Sequence, residues 1–584
     1  MTGRVWKAAM AAGLMAALAP VPMASAAPPP AFGQYRPDAL FDGITSHSLY
    51  VPLRDGVKLA VRIDRPTRGG VVVDEKLPVI WHHSLSISQL TADGTGDRVS
   101  AVRDMQKLVR HGYVVVQVAR RGNGQSFGSM RGYHDRNEAQ DAFEMIDWLS
   151  KQSWSNGTVG MYGCSNTGDA VMHALSMRPP ALKAVYAGCF SWHKYDPFRR
   201  GGIFAQWGTG PTRSLEADMA ISPVDGDEDK TQLAIAARQH QGSTPLFEMW
   251  KQLPYRDSFS PLVGSRFWSE GSAASYAQQI RLSGIPLYIQ GGWRDELRDQ
   301  AFTTWLNVPG ARVVMGPWVH CDNRGFELLE EIQRFFDLHL KGIKTGLDQD
   351  APIHYYTVNA APGTEWRATS RWPLPNAQPQ SWFLSPSGLS AKAGKAAAQS
   401  FPVRYDVACP NAGQGSTVQP CHVQGSGLSF AGAPLKTGVE VTGHPSVKLW
   451  VASSGTDANL FAYLEEVAPD GSVTVVTEGR LKASLRKTGQ APWAMPAGVV
   501  WHRAFEEDAQ PLTPGTPVEL DFSMMPTSYI FRPGHRIQIT VTGSDHRERA
   551  RGDAPPPTIT LLGGSAHPSM VTLPVVPGRA APQM

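Results

Sequence analysis

Short, wholly apolar runs alternate with longer amphipathic stretches over the first 350 residues or so of the chain. Pro78–Trp81, Tyr113–Val118, Val159–Tyr162, Leu182–Ala187, Ile285–Gln290 and Val313–Met315 lack the polar alternation of a half-exposed strand. Such runs suit strands of a parallel sheet buried on both faces. Between them lie helical patterns. Glu138–Lys151 places Ala142, Met145, Ile146 and Leu149 on one face, Ala170–Met177 is a run of helix formers, and Glu327–Lys341 is strongly amphipathic and closes the domain. Tyr50–Leu53 and Val57–Ile63, joined through Arg54-Asp55-Gly56, predict a hairpin with an Asp-Gly turn. Strands alternating with helices predict a doubly wound, mostly parallel α/β sheet.

Two stretches break this rhythm. Residues 190–280 hold Trp192, Tyr195, Phe198, Phe204, Trp207, Trp250, Tyr255, Phe267 and Trp268, with helical patches such as Thr231–His240. An insert at this point predicts a helical cap over the carboxyl ends of the strands, where ligands bind in such sheets. From about residue 352 short alternating runs separated by Gly, Pro and Asp take over, as in Val447–Val451, Leu460–Val467, Val473–Thr477, Val518–Phe522 and Arg536–Val541. They predict a β-sandwich of the jelly-roll kind. The expected organisation is a leader at 1–26, a first core part at 27–189, a cap at 190–280, a second core part at 281–346 and a sandwich at 352–580.

The chain's 584 residues, 42% hydrophobic and 18% charged, can fill more than one core. A net charge of +4 with no Lys/Arg run gives no reason to expect nucleic-acid binding. Arg4 and Lys7, the apolar Ala8–Ala19 and the small Ala24-Ser25-Ala26 form a secretory leader too short to span a bilayer. Export to the periplasm or the extracellular space follows. Five cysteines are present, and Cys409 and Cys421 flank a Gly/Pro/Ser-rich loop that would close as a disulfide in an oxidising compartment. Cys164 is read as a residue chosen for size. No metal-ligand spacing stands out and no cofactor is expected.

The candidate chemistry lies in Gly163-x-Ser165-x-x-Gly168, between an apolar strand and a helix. Small residues around a serine at such a junction suit a nucleophile elbow, although an ordinary strand-to-helix turn has the same local pattern. A serine needs a general base, and the base an acid that orients it. On this fold the acid follows a late strand and the histidine the next one. Ile285–Gln290 runs into Gly291-Gly292-Trp293-Arg294-Asp295, and Val313–Met315 into Gly316-Pro317-Trp318-Val319-His320. Ser165, Asp295 and His320 are therefore the expected nucleophile, acid and base.

Together these segments resemble the cocaine esterase, X-prolyl dipeptidyl-peptidase and α-amino acid ester hydrolase family (CocE/NonD-type serine hydrolases). The likeness lies in Trp154–Gly163 with Ser165, Arg121-Gly122-x-x-x-Ser126-x-Gly128, Gly292-Trp293-x-Asp295 and Gly316-Pro317-Trp318-x-His320. It extends to Phe335-Phe336-Asp337-x-His339-Leu340-Lys341-Gly342, Asp470-Gly471 and Phe531-x-Pro533-Gly534-His535-Arg536-Ile537. It implies an α/β-hydrolase core, a helical cap, a C-terminal jelly-roll, and hydrolysis of acyl esters or amides through an acyl-serine. Three positions depart from the family pattern. The tyrosine that donates to the oxyanion is missing, and an ungapped count from Pro78 gives His83-Ser84-Leu85-Ser86. Asn166 stands where a tyrosine often follows the serine, and its backbone N–H can still donate. The carboxylates that hold a substrate ammonium in the amino acid ester hydrolases are matched only in part by Glu296, with Leu297 and Arg298 after it.

The reading is thus an exported serine esterase or amidase acting on a small ester, amide or peptide, with Asn166 and one of Ser86, His83 or a backbone N–H of the same loop holding the oxyanion. Two alternatives are an X-Pro dipeptidyl-peptidase, which needs a carboxylate site for a free peptide amine, and a degenerate core whose sandwich binds a polymer or a partner.

Overall fold

The computed structural model describes residues 1–3, 30–87, 105–204, 214–407, 421, 425–546 and 555–578. The leader, apart from its first three residues, and Cys409 of the expected Cys409–Cys421 bridge lie outside the described residues. Cys421 itself is disulfide-bonded.

The core sheet is built from β1 (Gly43–Pro52), β2 (Lys58–Arg68), β3 (Val71–Val72), β4 (Leu77–Ser84), β5 (Val114–Ala119), β6 (Ser155–Cys164), β7 (Leu182–Gly188), β8 (Leu287–Gly292), β9 (Arg312–Gly316), β10 (Ile353–Tyr356) and β11 (Trp366–Thr369). Their order is β1-β2-β5-β4-β6-β7-β8-β9-β10-β11, with β3 paired to β2. From β5 to β10 every pairing is parallel. The expected hairpin forms β1 and β2, Pro52 pairing with Lys58 across the Asp55-Gly56 turn.

Helices cover both faces, as the apolar strands require. Helix α1 (Arg136–Ser150) and helix α2 (Asn166–Met177) lie on one side, where Met145, Ile146, Val171 and Leu175 join Trp81, Val116 and Met161 in a single core. Helix α5 (Leu328–Lys341) covers the other, where Phe335, Phe336 and Leu340 join Ile80, Val115 and Tyr162. Two further helices matter below: α3 (Thr231–His240) in the cap and α4 (Arg298–Asn307) after β8.

The cap's aromatic residues make a core of their own. Tyr195, Phe198, Trp250, Phe267 and Trp268 pack together and against Leu485 and Ala504 of the C-terminal part. That part is a sandwich of a nine-stranded and a four-stranded sheet, the latter formed by Gly427–Ala431, Arg536–Thr542, Asn459–Val467 and Val473–Lys482. Val447, Leu449, Leu460, Leu464, Phe522, Ile539 and Leu573 fill the space between them.

One boundary differs from expectation. Residues 353–369, assigned above to the sandwich, instead extend the core sheet as β10 and β11, with Ile353 pairing to Val313 of β9 and to Thr369 of β11. Both strands are only four residues long, and neither carries a wholly apolar run of the kind that marks the inner parallel strands.

Helix α5 is tied to the core through Asp337. Its carboxylate accepts from Tyr113 Oη (2.6 Å), Tyr35 Oη (2.7 Å) and Lys341 Nζ (2.8 Å), all in a buried setting. Removing one partner of such a group strands the others without hydrogen bonds. We therefore expect Asp337→Ala to cost about 3–5 kcal/mol, seen as a lower urea midpoint at unchanged slope. A loss below about 1 kcal/mol, the level of an exposed ion pair, would show the cluster to be dispensable.

Candidate active site

Ser165 sits at a forced backbone position. β6 stays paired to β7 as far as Cys164 opposite Gly188, and Ser165 N still donates to Gly188 O at 2.9 Å. The next residue, Asn166, is already the first of α2. To turn so sharply, Ser165 adopts φ +61° and ψ −128°, a conformation costing a non-glycine residue about 1–3 kcal/mol. The neighbours make it possible. A Cβ on Gly163 would lie 2.2 Å from Thr167 O, and one on Gly168 would lie 2.6 Å from Gly188 O. Thr167, where a second elbow glycine was looked for, closes the turn instead: its Oγ1 accepts from Cys164 N and donates to Cys164 O, each at 2.8 Å. Ser165 is left partly exposed at the helix N-terminus, where the first amides have no intrahelical acceptor.

Asp295 and His320 stand on adjacent loops after β8 and β9. The loops run side by side, with Trp293 N donating to Gly316 O (2.8 Å) and Arg294 N to Trp318 O (2.9 Å). The Gly-Pro-Trp segment has a steric reason, since a Cβ on Gly316 would lie 2.3 Å from the Trp318 ring. Asp295 is fully buried; its Oδ1 accepts from Leu297 N (2.8 Å) and its Oδ2 pairs with His320 Nδ1 (3.1 Å). Burial pulls the His320 pKa down, but the charge and hydrogen bond of Asp295 outweigh it, so the net shift is upward. Burial pushes Asp295 up, and His320, the Cys189 thiol and Leu297 N together bring it below the usual carboxylate value. An ionised Asp295 thus fixes the proton on Nδ1 and leaves Nε2 as the basic nitrogen. Neither Nε2 nor Ser165 Oγ has a hydrogen-bond partner among the described residues; such links commonly tighten only with substrate.

A buried polar cluster that no sequence motif announces supports Asn166 from below. Arg120 Nη2 donates to Asn166 Oδ1 at 3.1 Å. Lys194 Nζ, which can only donate, lies 2.7 Å from His134 Nδ1 and 3.2 Å from Asp169 Oδ2. His134 Nε2 lies 2.6 Å from Asn166 O and 2.7 Å from Arg120 Nη1, so each ring nitrogen faces a cationic donor. Burial, then Lys194 and Arg120, hold His134 well below its ordinary pKa, so it stays neutral. Asp169 Oδ1 accepts from Ser191 N (2.8 Å) and Ser191 Oγ (2.7 Å). The motif arginine, Arg121, does something else: it clamps α1 to the β1–β2 hairpin through Asp141 and Asp55 at 2.7 Å each. The only sequence signal for Arg120 is an arginine at the end of an apolar strand.

The two side chains proposed for the missing tyrosine are placed differently. His83 lies on β4 and is 1% exposed, with Nε2 buried and unpartnered among the described residues. Ser86 follows β4, is partly exposed, and accepts from Ser84 Oγ on its carbonyl (2.5 Å). Glu296 is buried beside Asp295.

Cys164 is not merely small. It is bonded to Cys321, 157 residues away, with the Cα atoms 6.0 Å apart. Cys189 is a buried free thiol whose sulfur accepts from Cys321 N at 3.4 Å. The three sulfurs lie within 4.8 Å of one another, and ligand atoms of Cys189, Asp295 and His320 do likewise. The bond was invisible to spacing because its two ends meet only in the folded sheet. A cavity of about 100 Å³ opens between cap, α4 and sandwich, lined by Trp192, Tyr195, Trp493, Trp501 and Met495 among others.

The chain matches the model of the X-Pro dipeptidyl-peptidase S15 family over residues 55–322, and that of the X-Pro dipeptidyl-peptidase C-terminal non-catalytic domain over 345–572. It is 29% identical to a Mycobacterium bovis protein provisionally named a serine esterase, over 92% of this chain and 96% of the relative. It is 26% identical to the cocaine esterase of Rhodococcus, over 91% and 98%. In fold it is similar to a CocE/NonD family hydrolase from Staphylococcus aureus, with a TM-score of 0.70 and 20% identity over 93% of this chain and all of that one.

The two opposed influences on His320 make a direct prediction. The imidazole should titrate above 6.5 in the parent. Asp295→Asn removes the strongest raising influence and leaves burial opposed only by Glu296 and Asp169, so its pKa should drop. NMR titration of the ring protons reads both values, and an unchanged pKa would mean that Asp295 does not control the ring.

Proposed function

This chain belongs to the family that holds the cocaine esterases and X-Pro dipeptidyl-peptidases, and on that premise we propose that it hydrolyses carboxylic esters through an acyl-serine formed on Ser165. The reading rests above all on the backbone of Ser165, held at positive φ between Gly163 and Gly168. A strained serine at a strand-to-helix turn is the expected posture of a nucleophile aimed out of a sheet. In this mechanism Ser165 Oγ attacks the acyl carbon while His320 Nε2 takes its proton. The imidazolium so formed is stabilised by Asp295 and returns the proton to the leaving alkoxide. Water, activated by the same nitrogen, then releases the acid and restores the serine. The exported location proposed from residues 4–26 accords with disulfide use, and among the described residues no helix is long and apolar enough to cross a membrane.

Ester cleavage is favoured over dipeptide release by the state of the nearby carboxylates. A free peptide ammonium needs an uncommitted anion. Asp299 is paired with Arg200 at 2.6 Å, Glu478 with Arg298 at 2.7 Å, Asp196 with Arg256 at 2.6 Å and Asp169 with Lys194 at 3.2 Å. At these four carboxylates a new cation would have to displace a resident one; Glu296, the partial match in the sequence, is buried beside Asp295. Steady-state assays should therefore give higher kcat/KM on p-nitrophenyl acyl esters than on X-Pro p-nitroanilides with free amines. A preference for the latter would favour the peptidase reading. Ser165→Ala should lose on the order of 10⁴-fold in turnover and all labelling by a fluorophosphonate. Parental turnover in that variant would remove Ser165 from the mechanism.

For the oxyanion, the Asn166 N–H is the first donor. His83 Nε2 is buried away from solvent, which argues against it as a donor to a ligand oxygen. Ser86, through its hydroxyl or its amide, is the second donor in this proposal. If the hydroxyl donates, Ser86→Ala should lower kcat by about 10²-fold with KM little changed, the usual scale for a lost oxyanion donor. Ser86→Gly, like Ser86→Ala, removes the hydroxyl and keeps the amide. If both variants retain parental kcat, the hydroxyl is not the donor.

A further inference from the structure

The sheet poses a problem of reach. Strands β6 and β9, which carry Ser165 and His320 at their ends, are separated by β7 and β8. Three strand spacings put their axes about 14 Å apart, yet the imidazole must meet the serine. The loop after β9 therefore has to lean back across β7 and β8. From Pro317 to Glu327 it contains no helix or strand. Polar anchors hold it to β8 and the loop after it, through Gln290 Nε2 on Asp322 O at 2.9 Å and Arg294 N on Trp318 O at 2.9 Å, to the end of β7 through its Cys321 amide on Cys189 Sγ, and to itself, through Trp318 Nε1 on Arg324 O at 3.2 Å. The tie that reaches the elbow is the Cys164–Cys321 bond, whose Cα atoms stand 6.0 Å apart. Cys164 immediately precedes Ser165, and Cys321 immediately follows His320.

We propose that the Cys164–Cys321 disulfide is a positioning element, which holds the His320 loop over the nucleophile elbow so that the general base faces Ser165. The proposal rests on the assignment of Ser165 and His320 made above. Cys189 completes the seat. It lies at the end of β7, between the two strands, and its sulfur accepts the Cys321 amide. Cys321 and Cys189 take φ +55° and +47°, conformations that persist only where the surroundings hold them. Cys189 does not attack the bond beside it, since burial keeps its thiol protonated and the thiolate is the nucleophile. The bonded pair is more open: Cys164 and Cys321 are partly exposed and border a small cavity with Tyr162, Gln290, Leu328 and Ile332. The bond is opened with a phosphine, which cleaves S–S to two thiols while it is oxidised to its oxide, the oxygen coming from water.

The test compares oxidised and phosphine-reduced enzyme on a good p-nitrophenyl ester, with thiols counted by alkylation and mass spectrometry and folding followed by near-UV circular dichroism. Reduction should lower kcat about 10- to 100-fold, the scale of a catalytic group displaced by about 1 Å, with KM within about threefold. Fluorophosphonate labelling of Ser165 should slow in step, and reoxidation should restore both. Cys164→Ser/Cys321→Ser should show the same fall in kcat and no response to phosphine, which separates this bond from that of Cys421. A kcat within twofold of the oxidised enzyme, in the reduced parent or in the double variant, overturns the proposal. So does unfolding on reduction, which would make the bond purely stabilising. If the double variant does not fold, the reduced parent decides. The triad stands or falls separately on Ser165→Ala, because a fully active Ser165→Ala removes the premise whatever the cysteines do.

Discussion

The turn at Ser165 is the constraint on which the rest of the core depends. A serine at φ +61° is tolerated only where strand and helix are pressed close enough to hold it. The pressing comes from the parallel sheet, which fixes β6 between β4 and β7, and from the apolar face of α2, whose Val171 and Leu175 are fully buried. Gly163 and Gly168 are the points where a single extra carbon would undo it. Packing energy spread over many residues is thereby spent on one backbone angle, and that angle presents a hydroxyl and a helix N-terminus to the same space.

Much of this was legible because it is local or periodic. Wholly apolar runs gave the parallel strands, and the switch to alternation after α5 gave the sandwich. Glycine spacing gave the elbow, and residues at strand ends gave Asp295 and His320. What stayed hidden is long-range. The Cys164–Cys321 bond joins residues 157 apart, so no window of sequence contains it. Lys194 and His134 meet 60 residues apart beneath Asn166, and each looks like an ordinary loop residue alone. β10 and β11 were misassigned for a different reason: each is four residues long and lacks a wholly apolar run that would tie it to the parallel sheet.

The buried cluster under α2 shows how the fold tolerates cations near a helix N-terminus, where the dipole disfavours them. Lys194 is offset by Asp169 in the first turn of α2. Arg120 lies 3.3 Å from Glu138, but burial pushes that carboxyl up to about 7, so near neutrality it is only partly ionised. The imperfect offset leaves positive potential close to Asn166, whose amide is the proposed oxyanion donor. A dry site magnifies such a field.

Two kinds of support therefore act on the proposed triad. Asp295 and His320 are held to each other by hydrogen bonding and by the parallel course of their loops. Those contacts would survive if both loops drifted together, since nothing in them refers to Ser165. The relation of the pair to the serine has to come from elsewhere: from the rigid spacing of β6 to β9, and from whatever bends the last loop back across it. A hydrogen bond of about 1 kcal/mol net is a weak means of holding an eleven-residue irregular segment in register with a strand three places away. A covalent link between the residues flanking nucleophile and base fixes that distance directly, and a separation of 6.0 Å between their Cα atoms is the length scale on which a serine and a histidine can share a proton.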